Sequence, residues 1–386
     1  MFIIPFLAET RKERKTNRPI NRNLRGGALI SAHEVLIAVM AFFAAAGALD
    51  RIIGNKYGIG KDFEEGIMAM GSLAMAMIGV ITLAPVLAAV LKPVVVPVFN
   101  LLGADAAMFA GSILACDMGG GSLAAQMTTD PDAALLGGVI TGSMLGATLV
   151  FTIPVAMGIL SKEDRPAMAK GILCGIVTIP VGVLVGGLVA GFPALMVARN
   201  LIPIVLIGAL IAFGLWKAED AMIRGFAAFG KGIVALITAG LAAAIVQELT
   251  GFVILPGMAP ISEGFQTVGE IAIVLAGAFP LVAVLTRLLR KPLLKLGKIL
   301  GINDASAAGL VASLANSIAT FNLVKEMDAR GKVVNIAFAV SAAFVFGDHL
   351  GFTAGFAPEM LPAMIAGKLA GGISAVLVAL WLTRKD

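Results

Sequence analysis

Apolar residues run along this chain in long blocks, with the polar residues gathered into the short gaps between them. A helix needs ~20 apolar residues to cross hydrocarbon. Eleven blocks approach or exceed that length: 33–53, 66–91, 106–127, 133–160, 167–191, 194–216, 227–249, 268–289, 305–324, 333–355 and 361–382. Two further stretches, 94–103 and 293–301, are too short to span and are expected to be interfacial or half-membrane helices. The pattern predicts an all-α, polytopic membrane helix bundle of ten or eleven spans.

Basic residues test that count, because Lys and Arg favour the cytoplasmic side of a bilayer. Residues 1–30 carry Arg11, Lys12, Arg14, Lys15, Arg18, Arg22 and Arg25, which predicts a disordered basic tail and a cytoplasmic N-terminus. Alternating eleven spans from that side places Lys92, Lys162, Arg165, Lys217, Arg224 and Lys231 inside, with the stretch from Arg287 to Lys298. It also places Arg330, Lys332, Arg384 and Lys385 outside, against the rule. The conflict eases if 305–324 enters and leaves on one side, and glycine-rich 106–127 could do the same.

The chain also repeats itself. EGIMAMG at 65–71 returns as EGFQTVG at 263–269, 198 residues later. Lys92-Pro93 is matched by Lys291-Pro292, ILAC at 113–116 by SLAN at 313–316, and PAMAKG at 166–171 by PAMIAG at 362–367. A colinear set of this kind predicts two membrane repeats, 31–193 and 225–386, joined by a linking span and loop at 194–224. The repeats are parallel if every segment crosses. They are inverted if just one of 106–127 and 133–160, with its counterpart, is re-entrant. Transporters often place a midplane site between such halves.

Composition supports the membrane reading and narrows the chemistry. The chain is 59% hydrophobic and 14% charged, against ~25% charged in soluble proteins. Its 46 glycines suit close helix packing in lipid. Two cysteines in apolar segments, Cys116 and Cys174, and two histidines offer no disulfide framework, no metal-ligand spacing and no cofactor. The net charge of +5 is concentrated in the N-terminal tail and is not a nucleic-acid footprint.

Ionisable groups inside apolar segments cost several kcal/mol and therefore mark candidate sites. In ACDMGGGS at 115–122, Asp117 precedes Gly119, Gly120 and Gly121, which hold a helix poorly. A carboxylate beside unwound backbone would suit an ammonium or metal cation; the alternative is a capped packing break. In FGDHLGF at 346–352, Asp348 and His349 lie between Gly347 and Gly351. There Asp348 could balance a cationic substrate while His349 shuttles a proton or orients the carboxylate, or the motif could be a solvated turn. In FEEG at 63–66, Glu64 and Glu65 suit the start of a helix, and Glu65 is also a substrate-attracting candidate. Asn316 is an uncharged binding candidate. Asp50-Arg51 reads as a solvated interfacial pair.

Several long strings resemble the bacterial ethanolamine transporters, permeases of the ethanolamine-utilisation system. They are FEEGIMAMGSLAMAMIG at 63–79, LAPVLAAVLKP at 83–93, MFAGSILACDMGG at 108–120, GILCGIVTIP at 171–180 and MDARGKVVNIAFAVSAAFVFGDHLGF at 327–352. The resemblance runs from about residue 33 to the C-terminus and departs in the basic tail. It implies ethanolamine entry across the bacterial cytoplasmic membrane, through lipid-embedded protein, with a coupling proton or sodium ion left open. An ion-coupled carrier of another small amine or amino alcohol is the alternative. A lipid-headgroup enzyme is disfavoured, because no HExxH, GxSxG or comparable motif is present.

Overall fold

The computed structural model describes residues 31–384, and the expected basic tail at 1–30 lies outside the described residues. The described residues are helical throughout, as the apolar blocks require: backbone groups in hydrocarbon must pair within their own segment. In chain order, α1 is Ala32–Ile52, α2 Gly60–Leu101, α3 Ala107–Ile113, α4 Gly120–Met127, α5 Pro131–Ile159, α6 Lys162–Val189 and α7 Ala194–Thr250. Then follow α8 Ile261–Leu300, α9 Asp304–Ala315, α10 Ser317–Leu323, α11 Ala329–Ala342, α12 Asp348–Phe356 and α13 Leu361–Leu382.

Among the described residues, seven helices are long and apolar enough to cross a bilayer, fewer than the eleven segments expected. One of them accounts for two segments. The 57 residues of α7 would extend ~85 Å as a straight helix, far beyond the ~30 Å of hydrocarbon. The helix instead breaks at Ala218 (φ −148°, ψ 51°). It folds back sharply enough that a Cβ on Gly214 would lie 2.7 Å from the Met222 sulfur. The limbs 194–217 and 219–250 are thus two helices, each long enough by itself to cross.

The blocks 106–127 and 305–324 do not cross. In the first, α3 and α4 form a hairpin whose base is closed by the Thr128 hydroxyl donating to Asp105 Oδ2 at 2.7 Å. In the second, α9 and α10 form a hairpin closed at Asp328. That carboxylate accepts from Asn303 N–H at 2.9 Å and from the Ser306 hydroxyl at 2.9 Å. The Asn303 side chain donates to the Glu326 carbonyl at 2.9 Å. Burial opposes ionisation of Asp328, but the donors from Asn303, Ser306 and Gly331 outweigh it and hold the carboxyl below its usual range. Each hairpin enters and leaves on one face, as the charge conflict had suggested for the second.

The block 333–355 is also broken. Helix α11 ends at Ala342, and the next residues pair with the second hairpin: Phe344 N–H donates to the Ser313 carbonyl at 3.0 Å and Phe346 N–H to Leu314 at 2.9 Å. Phe344 takes φ 62°, a left-handed conformation costly for a bulky residue. The stretches 94–103 and 293–301 are not separate elements: they continue α2 and α8, which run 42 and 40 residues despite internal prolines.

Glycine sets the approach of the first hairpin to α5. A Cβ on Gly146 would strike the Leu114 carbonyl, and one on Gly111 the Gly137 carbonyl. Helix α5 relaxes into π-helix over Leu136–Gly146 and Thr148–Thr152, which widens the turn facing the hairpin tip. Elsewhere α2 packs antiparallel to α8, through Gly66 on Leu275 and Gly264 on Ile78. Of the Asp50-Arg51 pair expected to be solvated, Arg51 is exposed but Asp50 is not. Asp50 is 2% exposed and accepts from the Tyr57, Ile59 and Gly60 N–H groups at 2.9 Å, while Arg51 bonds Glu64 at 3.1 Å.

Candidate functional site

The hairpin tips and the α11–α12 break meet inside the bundle, where backbone is unwound and polar groups are concentrated. At the first tip, α3 stops at Ile113, and Leu114 and Ala115 are extended. A single 3-10 turn, Cys116–Met118, follows before Gly119, at φ 90°, reverses the chain into α4. No side chain is tolerated there, because a Cβ on Gly119 would run into Val80. The turn presents Asp117 to Asp348 and His349 at the start of α12, whose first residue follows Gly347. Asp117 Oδ1 lies 3.7 Å from His349 Nε2, with the two side chains 15% and 4% exposed.

A small cavity of about 30 Å³, more than a single water requires, lies against these groups. Asp117, Asp348 and His349 line it with Ala147, Phe151 and Phe344. The Phe344 ring lies 5.3 Å from His349 and 5.3 Å from Phe151, so aromatic faces close one side. Cation–π attraction adds ~0.5–2 kcal/mol for a cation held there. Two buried atoms lack a hydrogen-bond partner, Asp117 Oδ1 and His349 Nδ1. Buried polar atoms left unmade each cost ~1–3 kcal/mol, which a ligand carrying donors would recover.

Two larger cavities adjoin this centre, and Asp348 lines both. One, of about 470 Å³, lies between α2, α8 and the second hairpin and includes Asp62, Glu65, Arg287 and Asn316. The other, of about 550 Å³, lies between α2, α5 and the second limb of α7 and includes Ser72, Asp117, Phe151 and Lys231. The fold therefore joins Asp117, Asp348 and His349 directly. It leaves Glu65 and Asn316 in an approach cavity: Glu65 pairs with Lys61 at 3.6 Å, and Asn316 caps α10 by accepting from Ile318 N–H at 2.8 Å. Gly120 and Gly121 lie in α4, where Gly121 abuts Phe352. Gly347 abuts the Ala315 carbonyl, and Gly351 abuts Leu275.

Folding also brings together residues that sequence spacing kept apart. Cys116, Asp117 and His349 place potential ligand atoms within 4.8 Å of one another, a cluster that spacing alone did not predict. Beside it lies Lys368, which sequence reasoning missed although a lysine seven residues into a span meets the same criterion that selected Asp117. Lys368 is 1% exposed and its Nζ donates to the Ser143 carbonyl in the π-helical stretch of α5. Its amine lies close enough to Asp117, Cys116 and His349 to couple with them electrostatically. An ammonium at this position disfavours a metal dication in the same cluster.

Among the described residues, seven helices long and apolar enough to cross a bilayer, two helical hairpins and a buried acidic centre inside the bundle define a multi-pass membrane protein. The chain belongs to the family described as "Ethanolamine utilisation protein, EutH", whose model matches residues 32–382. It is 58% identical over 356 residues to the "Probable ethanolamine permease EutH" of Listeria monocytogenes serotype 1/2a, covering 92% of this chain and 95% of that one. It is 46% identical over 392 residues to the protein of the same name from Salmonella typhimurium, covering 92% and 96%. It is 50% identical over 354 residues to the "Uncharacterized protein YxeR" of Bacillus subtilis, covering 92% and 96%. No solved structure matches the chain.

Proposed function

We propose that this protein is the ethanolamine uptake permease of a bacterial cytoplasmic membrane, and that Asp117 and Asp348 bind the substrate ammonium. The observation that carries the site is the pair of buried carboxylates facing one cavity between the hairpin tip and the α11–α12 break. Protonated ethanolamine offers three N–H donors and one hydroxyl. Its ammonium is matched to the unpaired Asp117 Oδ1, and its hydroxyl to His349 Nδ1. Family membership and the relatives' names support the substrate. Both larger cavities reach from this centre toward the face carrying Gly58, Arg287 and Lys231, so the centre is approached from that side. Radiolabelled ethanolamine uptake into proteoliposomes tests the function. Protein-dependent uptake is expected, competed less by choline and serinol than by unlabelled ethanolamine; uptake equal to empty liposomes refutes it.

Inverted repeats are part of the same proposal. The order span, long span, hairpin, span, span runs from α1 to α6, and again from the second limb of α7 to α13, with the first limb of α7 between them. Four crossings plus one linking crossing turn the second copy upside down. The loop charges follow that geometry. Loops 102–106, 128–130, 190–193 and 251–260 share one face and contain no Lys or Arg. The opposite face carries Lys56, Lys162, Lys217, Lys298, Lys325, Arg330, Lys332 and Arg384. By the distribution of basic residues that face is the cytoplasmic one. This sets Ala32 on the outer side, opposite to the orientation expected from the tail alone.

A further inference from the structure

Lys368 has no part in the binding scheme above, yet it is a buried basic group beside the same centre. It lies in α13, and its ammonium donates to the Ser143 carbonyl. The neighbouring residue Gly142 packs on the tip: a Cβ there would lie 3.1–3.4 Å from the backbone and Cβ of Cys116. Lys368 thus bonds α5 one residue from the glycine that packs on the carboxylate turn. Three kinds of charged or chargeable group converge, from the first hairpin, from α12 and from α13. Nothing in the packing of α13 demands a lysine at this depth, where a Leu or Met would avoid desolvating a charge.

We propose that Lys368 sets the charge number of the binding centre. With Asp117 and Asp348 ionised, Lys368 protonated, and Cys116 and His349 neutral, the centre carries one net negative charge. One monovalent ammonium then neutralises it, and no second cation is required for the loaded state. A dication overcharges the centre, and an amino acid zwitterion leaves its negative charge uncompensated. This inference rests on the ethanolamine reading of the site, and it fixes charge selectivity and the absence of an obligatory coupling cation.

The test is a charge-count series in proteoliposomes, read as uptake of ethanolamine and of 1,2-diaminoethane, its isosteric dication at mildly acidic pH. Wild-type uptake of ethanolamine is the reference, and its absence would refute the functional reading rather than this one. Lys368→Met makes the centre doubly negative. It is expected to lose ethanolamine uptake about 100-fold in sodium-free buffer. It should regain uptake when sodium is added and accept the diamine in preference. Asp117→Asn makes the centre neutral and should lose uptake of both. The double variant Lys368→Met/Asp117→Asn restores one net charge and should recover ethanolamine uptake well above either single variant, independent of sodium. Because the double variant carries the same net charge as the wild type, it also serves if Lys368→Met alone does not fold. Wild-type selectivity in Lys368→Met, or a double variant as poor as or poorer than the worse single variant, would overturn the proposal.

Discussion

Replacing Asp117 with Asn removes a charge while keeping the shape of the 3-10 turn, so it separates binding from folding. Asp117 Oδ1 is buried, without a hydrogen-bond partner, and 3.7 Å from His349 Nε2. An ammonium at ~3 Å from this carboxylate gains ~5.5 kcal/mol in gross Coulomb energy at an effective dielectric of ~20. Dehydrating both partners consumes much of that, and charge-assisted hydrogen bonds in proteins retain ~1.5–3 kcal/mol. The substitution is therefore expected to weaken ethanolamine affinity about 10- to 150-fold. The assay is initial uptake into proteoliposomes against substrate concentration, with membrane insertion and thermal stability of the purified variant measured in parallel. A raised KM in a normally inserted protein is expected. Wild-type KM and rate would show that substrate does not meet this carboxylate.

Three further outcomes follow from the fold. Gly146→Ala drives a Cβ into the Leu114 carbonyl and should lower stability by ~1–3 kcal/mol, seen as a reduced Tm in detergent; an unchanged Tm would mean the hairpin does not seat on α5 as described. Asp328→Asn weakens the clasp of the second hairpin. Because the folded carboxyl titrates below its unfolded value, its contribution is fully present above the unfolded pKa of ~3.9 and is lost as pH falls through the folded pKa; the variant should therefore lose stability at neutral pH and little below that range. For orientation, the native Cys116 and Cys174 are buried, so single introduced cysteines can be read directly. Phe252→Cys should react with a membrane-impermeant maleimide from outside cells and Lys56→Cys should not; the reverse would invert the assigned topology.

The sequence was most informative where a single residue broke a local pattern. Asp117 before three glycines and Asp348-His349 between two glycines both stood out against apolar blocks, and the fold brings them together. Charge imbalance near Arg330 and Lys332 exposed a segment that does not cross, because a re-entrant hairpin changes the side of everything after it. Three features escaped. The extension of α2 and α8 through Pro93, Pro97 and Pro292 was hidden because proline argues against helix locally, while packing along the partner helix overrides it. The role of Asp50 depends on N–H groups seven to ten residues away. Lys368 sat in a segment recognised for its PAMIAG repeat, and only the arrangement of α13 against α5 shows that it is buried on Ser143, beside the carboxylate turn.

The central claim is that Asp117 and Asp348 hold the substrate ammonium where the first hairpin tip meets the α11–α12 break. A structure determined in lipid nanodiscs with saturating ethanolamine tests it most directly. The account requires density for a small molecule between the two carboxylates, its nitrogen about 2.8 Å from a carboxylate oxygen and its hydroxyl toward His349. Density confined to the cavity beside Glu65 and Asn316, with the centre between Asp117 and Asp348 empty, would contradict it.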